Sequence, residues 1–296
     1  MTELEGIFVV TLSPFRDGRV DERAVRHLVD HFIDAGVQGL VVLGSNGENP
    51  YLTEEEKREL IDITLDQTRG RVPVIAGTGC MGTDATIALT RHAREAGAAA
   101  ALVAMPQYFR IGFADVKRHY TRLTCEAGLP ILYYNFPAVT RLELSPAEIA
   151  ELATIPGMVG AKQTIFDIEE IAELAKLTED RPFSVLSGTT LNLPALVPRG
   201  IRGAIGVLPN LMPRESVELY KALRAGDEKR ASAAMASLGK LVRILAASPT
   251  AHAMLKEALR QMGHPIEPTV KDPLPPLTAE QRELVAEVLA DAKLTA

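Results

Sequence analysis

The chain has 296 residues, 47% of them apolar, and a net charge of −6 from 38 acidic and 32 basic side chains interspersed along it. That size suits one large α/β domain or two small ones with ample core. It carries no basic cluster with interleaved aromatics, so nucleic acid is not an expected partner. No apolar run reaches spanning length, and Met1–Gly6 lacks the basic and apolar regions of a secretory signal, so no membrane partner is expected either. Cys80 and Cys125 have neither zinc-ligand nor CxxC spacing and read as reduced thiols of a cytoplasmic protein.

Short apolar runs alternate with longer helical patterns. Gly6–Leu12 precedes a helix from about Asp21 to Ala35, and Gly39–Leu43 precedes one introduced by Thr53-Glu-Glu-Glu56, a capping box. Pro73–Ala76 feeds a helix near Thr83, and Ala99–Ala104 one near Phe113. Pro130–Asn135 follows, then Ser145-Pro146, an N-cap with proline at the first helical position. Met158–Lys162, Phe183–Leu186 and Gly203–Val207 complete the strand candidates. Continuous apolar strands alternating with amphipathic helices indicate a parallel sheet covered by helices, and eight such units predict a closed (β/α)8 TIM barrel. From Glu215 onward the chain reads as mostly helical, ending in Glu280–Ala290. The expected organisation is a barrel over residues 1–225 with additional C-terminal helices over 226–296.

Chemistry in such barrels lies at the carboxyl ends of the strands. Those ends carry Gly44-Ser-Asn-Gly-Glu48, Gly77-Thr-Gly79, Pro106-Gln-Tyr108, Tyr134-Asn135, Lys162 and Ser187-Gly-Thr-Thr190. Small hydroxyls, an amide, two tyrosines and one lysine are expected to converge there, without a carboxylate dyad or a histidine. A lysine amine withdrawn from water is a nucleophile that forms a Schiff base with a ketone, and a tyrosine phenol can move the protons. Such chemistry calls for no cofactor and no metal.

Two other motifs compete. Gly77-Thr-Gly-Cys-Met-Gly82 is a literal G-x-G-x-x-G, but it lies on the third unit, and no acidic residue follows the next strand to hold a ribose. It is read as a glycine-rich strand–helix turn. His27 and His31 are four apart on one helix, as metal ligands can be, yet no third ligand is nearby in sequence, so a helix-surface or interface role is expected. Cys80, beside a strand end, reads as a small packing residue.

Gly44-Ser-Asn-Gly-Glu48, Tyr134-Asn-Phe-Pro137 and Gly160-Ala-Lys162, in this order and approximate spacing, resemble the dihydrodipicolinate synthase and N-acetylneuraminate lyase family of pyruvate-type class I aldolases. The resemblance covers essentially the whole chain. It implies that Lys162 is the Schiff-base lysine and Tyr134 the proton relay, with Ser45 hydrogen-bonded to that tyrosine. Asn46 and adjoining amides would hold the ketoacid carboxylate, while Gly188 and Ile205 would line the pocket. Thr164 and Arg141 complete the substrate-binding set. Tyr108 would be a catalytic tyrosine reaching a neighbouring subunit's site, which implies a homo-oligomer, a tetramer built as a dimer of dimers. Dihydrodipicolinate synthases carry an arginine where this chain has Val139, and Arg141 stands two residues later. Ser45-Asn46 looks more like 4-hydroxy-2-oxoglutarate aldolases and 2-keto-3-deoxy sugar-acid enzymes. The substrate expected first is therefore a hydroxylated 2-oxo acid. The alternative is 4-hydroxy-tetrahydrodipicolinate synthesis from pyruvate and aspartate semialdehyde. A non-catalytic ketoacid-binding or nucleotide-binding barrel is the alternative of another class.

Overall fold

A computed structural model describes residues 4–105 and 108–294. Pro106 and Gln107, expected to end the fourth strand, lie outside the described residues, as do the first three residues of the opening segment. Eight parallel strands close into a barrel: β1 (Gly6–Val10), β2 (Gly39–Val42), β3 (Val74–Gly77), β4 (Ala100–Ala104), β5 (Ile131–Asn135), β6 (Met158–Gln163), β7 (Ser184–Ser187) and β8 (Gly203–Gly206). Each strand pairs with the next, and β1 closes the ring by pairing with both β2 and β8. Alternate residues account for the unbroken apolar runs. Phe8, Val10, Val41, Leu132, Tyr134 and Ile205 fill the interior. Their neighbours Ile7, Val9, Leu40, Val42 and Tyr133 pack outward under the helices. A strand buried on both faces cannot show a polar alternation.

The local signals read in the sequence are used. Asp21 caps the helix Glu22–Asp34 by accepting from the Ala24 amide at 3.1 Å. Thr53 and Glu56 cap Glu54–Thr68 reciprocally, at 3.2 and 3.0 Å. Ser145 and Glu148 do the same for Pro146–Leu152, with proline at its first position. The first strand stops at Val10, two residues short of expectation: the Thr11 amide and hydroxyl both donate to the Val41 carbonyl, at 3.0 and 3.3 Å, and beyond it Ser13 turns its hydroxyl onto the Gly47 carbonyl. A small hairpin follows, Phe15–Arg16 with Arg19–Val20, turned by Asp17 and Gly18, both with positive φ.

Beyond the barrel helix Pro213–Arg224, the described chain forms helices Glu228–Gly239, Val242–Ala246, His252–Gln261 and Ala279–Ala292. They bring together residues remote in sequence. His27 Nε2 lies 3.0 Å from His264 Nδ1, and the His31 and His264 ring centroids are 4.4 Å apart. The histidine pair singled out in the sequence thus has a third member, which joins the first barrel helix to the C-terminal region. Among the described residues, no group of three histidine, cysteine or acidic side chains is placed to hold a metal ion. No helix among them is long and apolar enough to cross a membrane.

Candidate active site

The penultimate residue of β6 is Lys162, and only 3% of it is exposed. The strand register sets it beside Tyr134 of β5 on one side and Leu186 of β7 on the other. Its Nζ stands 4.2 Å from the centroid of the Tyr134 ring, a contact in which the π face attracts the cation. Among the described residues no carboxylate is within ion-pair distance of Lys162. The Tyr134 hydroxyl is 3.2 Å from Ser45 Oγ, and either oxygen can donate. Lys162, Tyr134 and Ser45 therefore form a chain of amine, aromatic ring and hydroxyls across the carboxyl end of the barrel.

Ser45 opens a single 3-10 turn, Ser45–Gly47, that follows β2. Non-glycine residues with left-handed backbone flank it, Leu43 at φ 60° and Glu48 at φ 60°. That conformation costs roughly 1–2 kcal/mol per residue and persists only where surrounding contacts enforce it. Those contacts are present. Asn49 Nδ2 donates to the Leu43 carbonyl at 2.8 Å and to the Gly77 carbonyl at 2.9 Å, and Ser13 Oγ donates to the Gly47 carbonyl at 2.7 Å. The Glu48 carboxylate accepts from Lys256 Nζ at 2.5 Å and from the Lys271 backbone amide at 2.7 Å. His252 Nε2 donates to the Ser45 carbonyl at 3.0 Å. The barrel itself explains the first glycine of the Gly77–Gly82 motif, because a Cβ at Gly77 would lie 2.0 Å from the Leu43 carbonyl oxygen.

The opposite wall is formed by the ends of β6, β7 and β8. Thr164 is tied to β5 through its amide, which donates to the Asn135 carbonyl at 2.9 Å. Its hydroxyl is buried without a partner among the described residues, and so is that of Thr190. The Gly188 amide donates to the Gln163 carbonyl at 2.6 Å, and a Cβ at Gly188 would meet Thr164 Oγ1 at 2.2 Å. Ile205 belongs to the fully buried interior beneath. Beside these, Asn135 Nδ2 donates to Gln163 Oε1 at 2.7 Å.

The other candidates differ in placement. Asn46 shares the turn with Ser45 and is half-buried. Tyr108 is 83% exposed and stacks edge-on with the exposed Phe109, outside the site of its own chain. The two tyrosines expected to converge are thus one inside and one outside. Arg141 is exposed, with φ 56°, and ends the short helix Pro137–Thr140; Val139 within that helix is also exposed. Burial pushes the Cys80 thiol up, in keeping with a packing role. Sequence reasoning gave no part to Glu48, His252 or Lys256. Glu48 stood in a quoted motif, but its partners lie more than two hundred positions away and carry no local signal.

A closed barrel that presents one inward lysine against a tyrosine–serine pair has the constitution of an imine-forming lyase. The chain belongs to the dihydrodipicolinate synthetase family, which it matches over residues 3–292. It is thereby a lyase of the pyruvate-type class I aldolases, as its resemblance implied. A 4-hydroxy-tetrahydrodipicolinate synthase of Syntrophus aciditrophicus is 37% identical to it, over 96% of this chain and 97% of that one. Another of that name from Thermodesulfovibrio yellowstonii is 34% identical, over 98% and 99%. Among solved structures, a prophage protein of the dihydrodipicolinic acid synthase family from E. coli K12, in complex with pyruvate, aligns with a TM-score of 0.95 and 32% identity, covering 99% of this chain and all of the other. Dihydrodipicolinate synthase from Thermotoga maritima aligns at 0.93 with 30% identity, covering 99% of this chain and 100% of that one.

Proposed function

We propose that Lys162 forms an imine with the ketone of pyruvate and that Tyr134, backed by Ser45, moves the protons of the reaction. The observation that carries this reading is the placement of Lys162 Nζ over the Tyr134 ring, with the Tyr134 hydroxyl bonded to Ser45. The amine adds to C2, water leaves, and the protonated imine draws electrons from the C2–C3 side. Loss of a C3 proton then gives an enamine, whose C3 attacks an aldehyde. Asn46 and the amides of the Ser45–Gly47 turn would hold the pyruvate carboxylate with neutral donors. Gly188 leaves room for the ketoacid, and Ile205 forms the apolar floor. The unpartnered Thr164 hydroxyl is available to an oxygen of the acid.

The relatives support condensation of pyruvate with aspartate semialdehyde, as in 4-hydroxy-tetrahydrodipicolinate synthase. That reading, held as the alternative on sequence, now stands first. Cleavage or dehydration of a hydroxylated 2-oxo acid, such as 4-hydroxy-2-oxoglutarate or a 2-keto-3-deoxy sugar acid, stands second. It is favoured by Val139, an exposed apolar residue where the synthases place an arginine. Arg141, also exposed, can supply a charge to an acceptor's carboxylate only from the rim.

Borohydride in the presence of pyruvate should fix one pyruvate unit irreversibly on Lys162. Labelling of any other lysine, or none, would reject the imine. Turnover with pyruvate plus aspartate semialdehyde, compared with turnover of 4-hydroxy-2-oxoglutarate, then orders the two readings. We also propose a homo-oligomer in which Tyr108 and Phe109 are covered by a second copy. Sedimentation of a fully active monomer would contradict it.

A further inference from the structure

We propose that the helix His252–Gln261 is a positioning element of the active site: His252 and Lys256 set the Ser45–Gly47 turn and thereby aim the Ser45 hydroxyl at Tyr134. The two side chains are four residues apart, so they project from one face of that helix. Since the Ser45 carbonyl can only accept, the His252 ring carries a proton on Nε2 and donates at 3.0 Å. One turn further on, Lys256 Nζ reaches Glu48 Oε1 at 2.5 Å and the Thr269 carbonyl at 2.6 Å. The second Glu48 oxygen accepts from the Lys271 amide, so the carboxylate is held at both ends. Glu48 and Lys256 are both fully buried.

The remaining anchors do not do this job. Asn49 holds the Leu43 carbonyl before the turn, and Ser13 holds the Gly47 carbonyl at its end. The Ser45 carbonyl takes the Glu48 amide at 3.1 Å within the turn. Among the described residues, the His252 side chain is the group from outside the turn that reaches it, while Lys256 is the cation that pairs with the Glu48 side chain. Burial pushes the Lys256 ammonium toward deprotonation, and Glu48 opposes that. A fully buried ion pair is a poor source of stability compared with apolar packing. What it supplies here is a fixed position for a strained turn. His252 and Lys256 touch no reacting atom in this account; they act through Ser45 and Glu48.

The inference rests on the imine reading above, and two partial reactions separate the two. Borohydride trapping of pyruvate reports imine formation at Lys162. Exchange of the pyruvate methyl protons for deuterium in D2O, followed by NMR, reports proton transfer through Tyr134: a C3 proton leaves and a deuteron returns. If the wild-type protein traps no pyruvate, the reading of the site fails first. Given trapping, the variants His252→Ala and the charge-free double variant Glu48→Gln/Lys256→Met are measured at saturating pyruvate. Both should trap pyruvate to the wild-type extent while exchange per imine falls by about 10- to 100-fold, the effect of displacing a catalytic group by a fraction of an ångström to one ångström. Wild-type exchange in either folded variant, or a proportional loss of trapping and exchange, overturns the proposal. Should the double variant fail to fold, His252→Ala, which alters a half-buried side chain at a helix start, decides alone.

Discussion

Lys162 and Tyr134 occupy the same layer of the barrel on adjacent strands, with the lysine nitrogen 4.2 Å from the centre of the tyrosine ring. The ring and its hydroxyl serve separate ends. The ring packs in the barrel interior, while the hydroxyl meets Ser45 at 3.2 Å. Tyr134→Phe should therefore keep the packing and remove the proposed relay. Turnover should fall by about 10²–10⁴, and the melting temperature should move little, since one hydrogen bond contributes about 1 kcal/mol. Near-normal turnover would mean that another group carries the proton.

The Glu48–Lys256 pair makes a stability prediction with an internal control. Lys256→Met leaves the Glu48 carboxylate buried with only the Lys271 amide, which should cost about 3–5 kcal/mol. Glu48→Gln in the same chain should recover most of that loss, because no charge is then left buried. Denaturant titration of the single and double variants measures the difference. A single variant as stable as the wild type would mean that water reaches the pair.

The histidines predict an acid limit. Burial, together with His31 and His27, holds His264 down to about 4 from its usual 6.5. Burial likewise lowers His119 to about 4, with Arg122 adding to it. His31 is lowered by burial first, then by His27 and Arg214, with Asp34 opposing. An unfolded chain takes up protons on the His264 and His119 rings near pH 6.5, and the native one not until about pH 4. Between those values the unfolded state binds more protons, so stability rises with pH. Their contribution is complete above pH 6.5 and is lost as pH falls toward about 4. Thermal midpoints should decline in that window, and His264→Gln should flatten the decline. A midpoint that does not change from pH 7 to 5 would sink this account.

Gly188 predicts a steric effect confined to the site. An alanine Cβ there would stand 2.2 Å from Thr164 Oγ1 and 2.8 Å from the Thr164 Cα, so the end of β6 must move. Gly188→Ala should cost about 1–3 kcal/mol and raise the KM for pyruvate. Unchanged kinetics would place the ketoacid elsewhere.

The barrel, and the strand ends that bring Lys162 and Tyr134 together, were legible because they depend on local patterns. Apolar runs of strand length gave the sheet, and strand ends located Ser45, Tyr134 and Lys162. The loop after β5 was harder to read: Pro137 starts a short helix there that turns Val139 outward, and no periodicity forms in four residues. His264 beside His27, and Lys256 beside Glu48, were not legible at all. Each is a pairing across more than two hundred positions, set by how the C-terminal helices fold back. A charged residue on a helix reads as solvated until its partner is known.

The span between Glu48 and Lys256 also orders events during synthesis. The lysine is made 208 residues after the acid, an interval of about 10 to 40 s at 5–20 residues per second. Throughout it Glu48 lacks its cation, and a carboxylate without a counter-charge stays in water. An emerging chain thus exposes the Ser45–Gly47 turn to solvent, and Lys162 is synthesised well before Lys256 is available to set that turn. On the reading proposed above, the ability to activate a ketoacid is among the last properties that the growing polypeptide acquires.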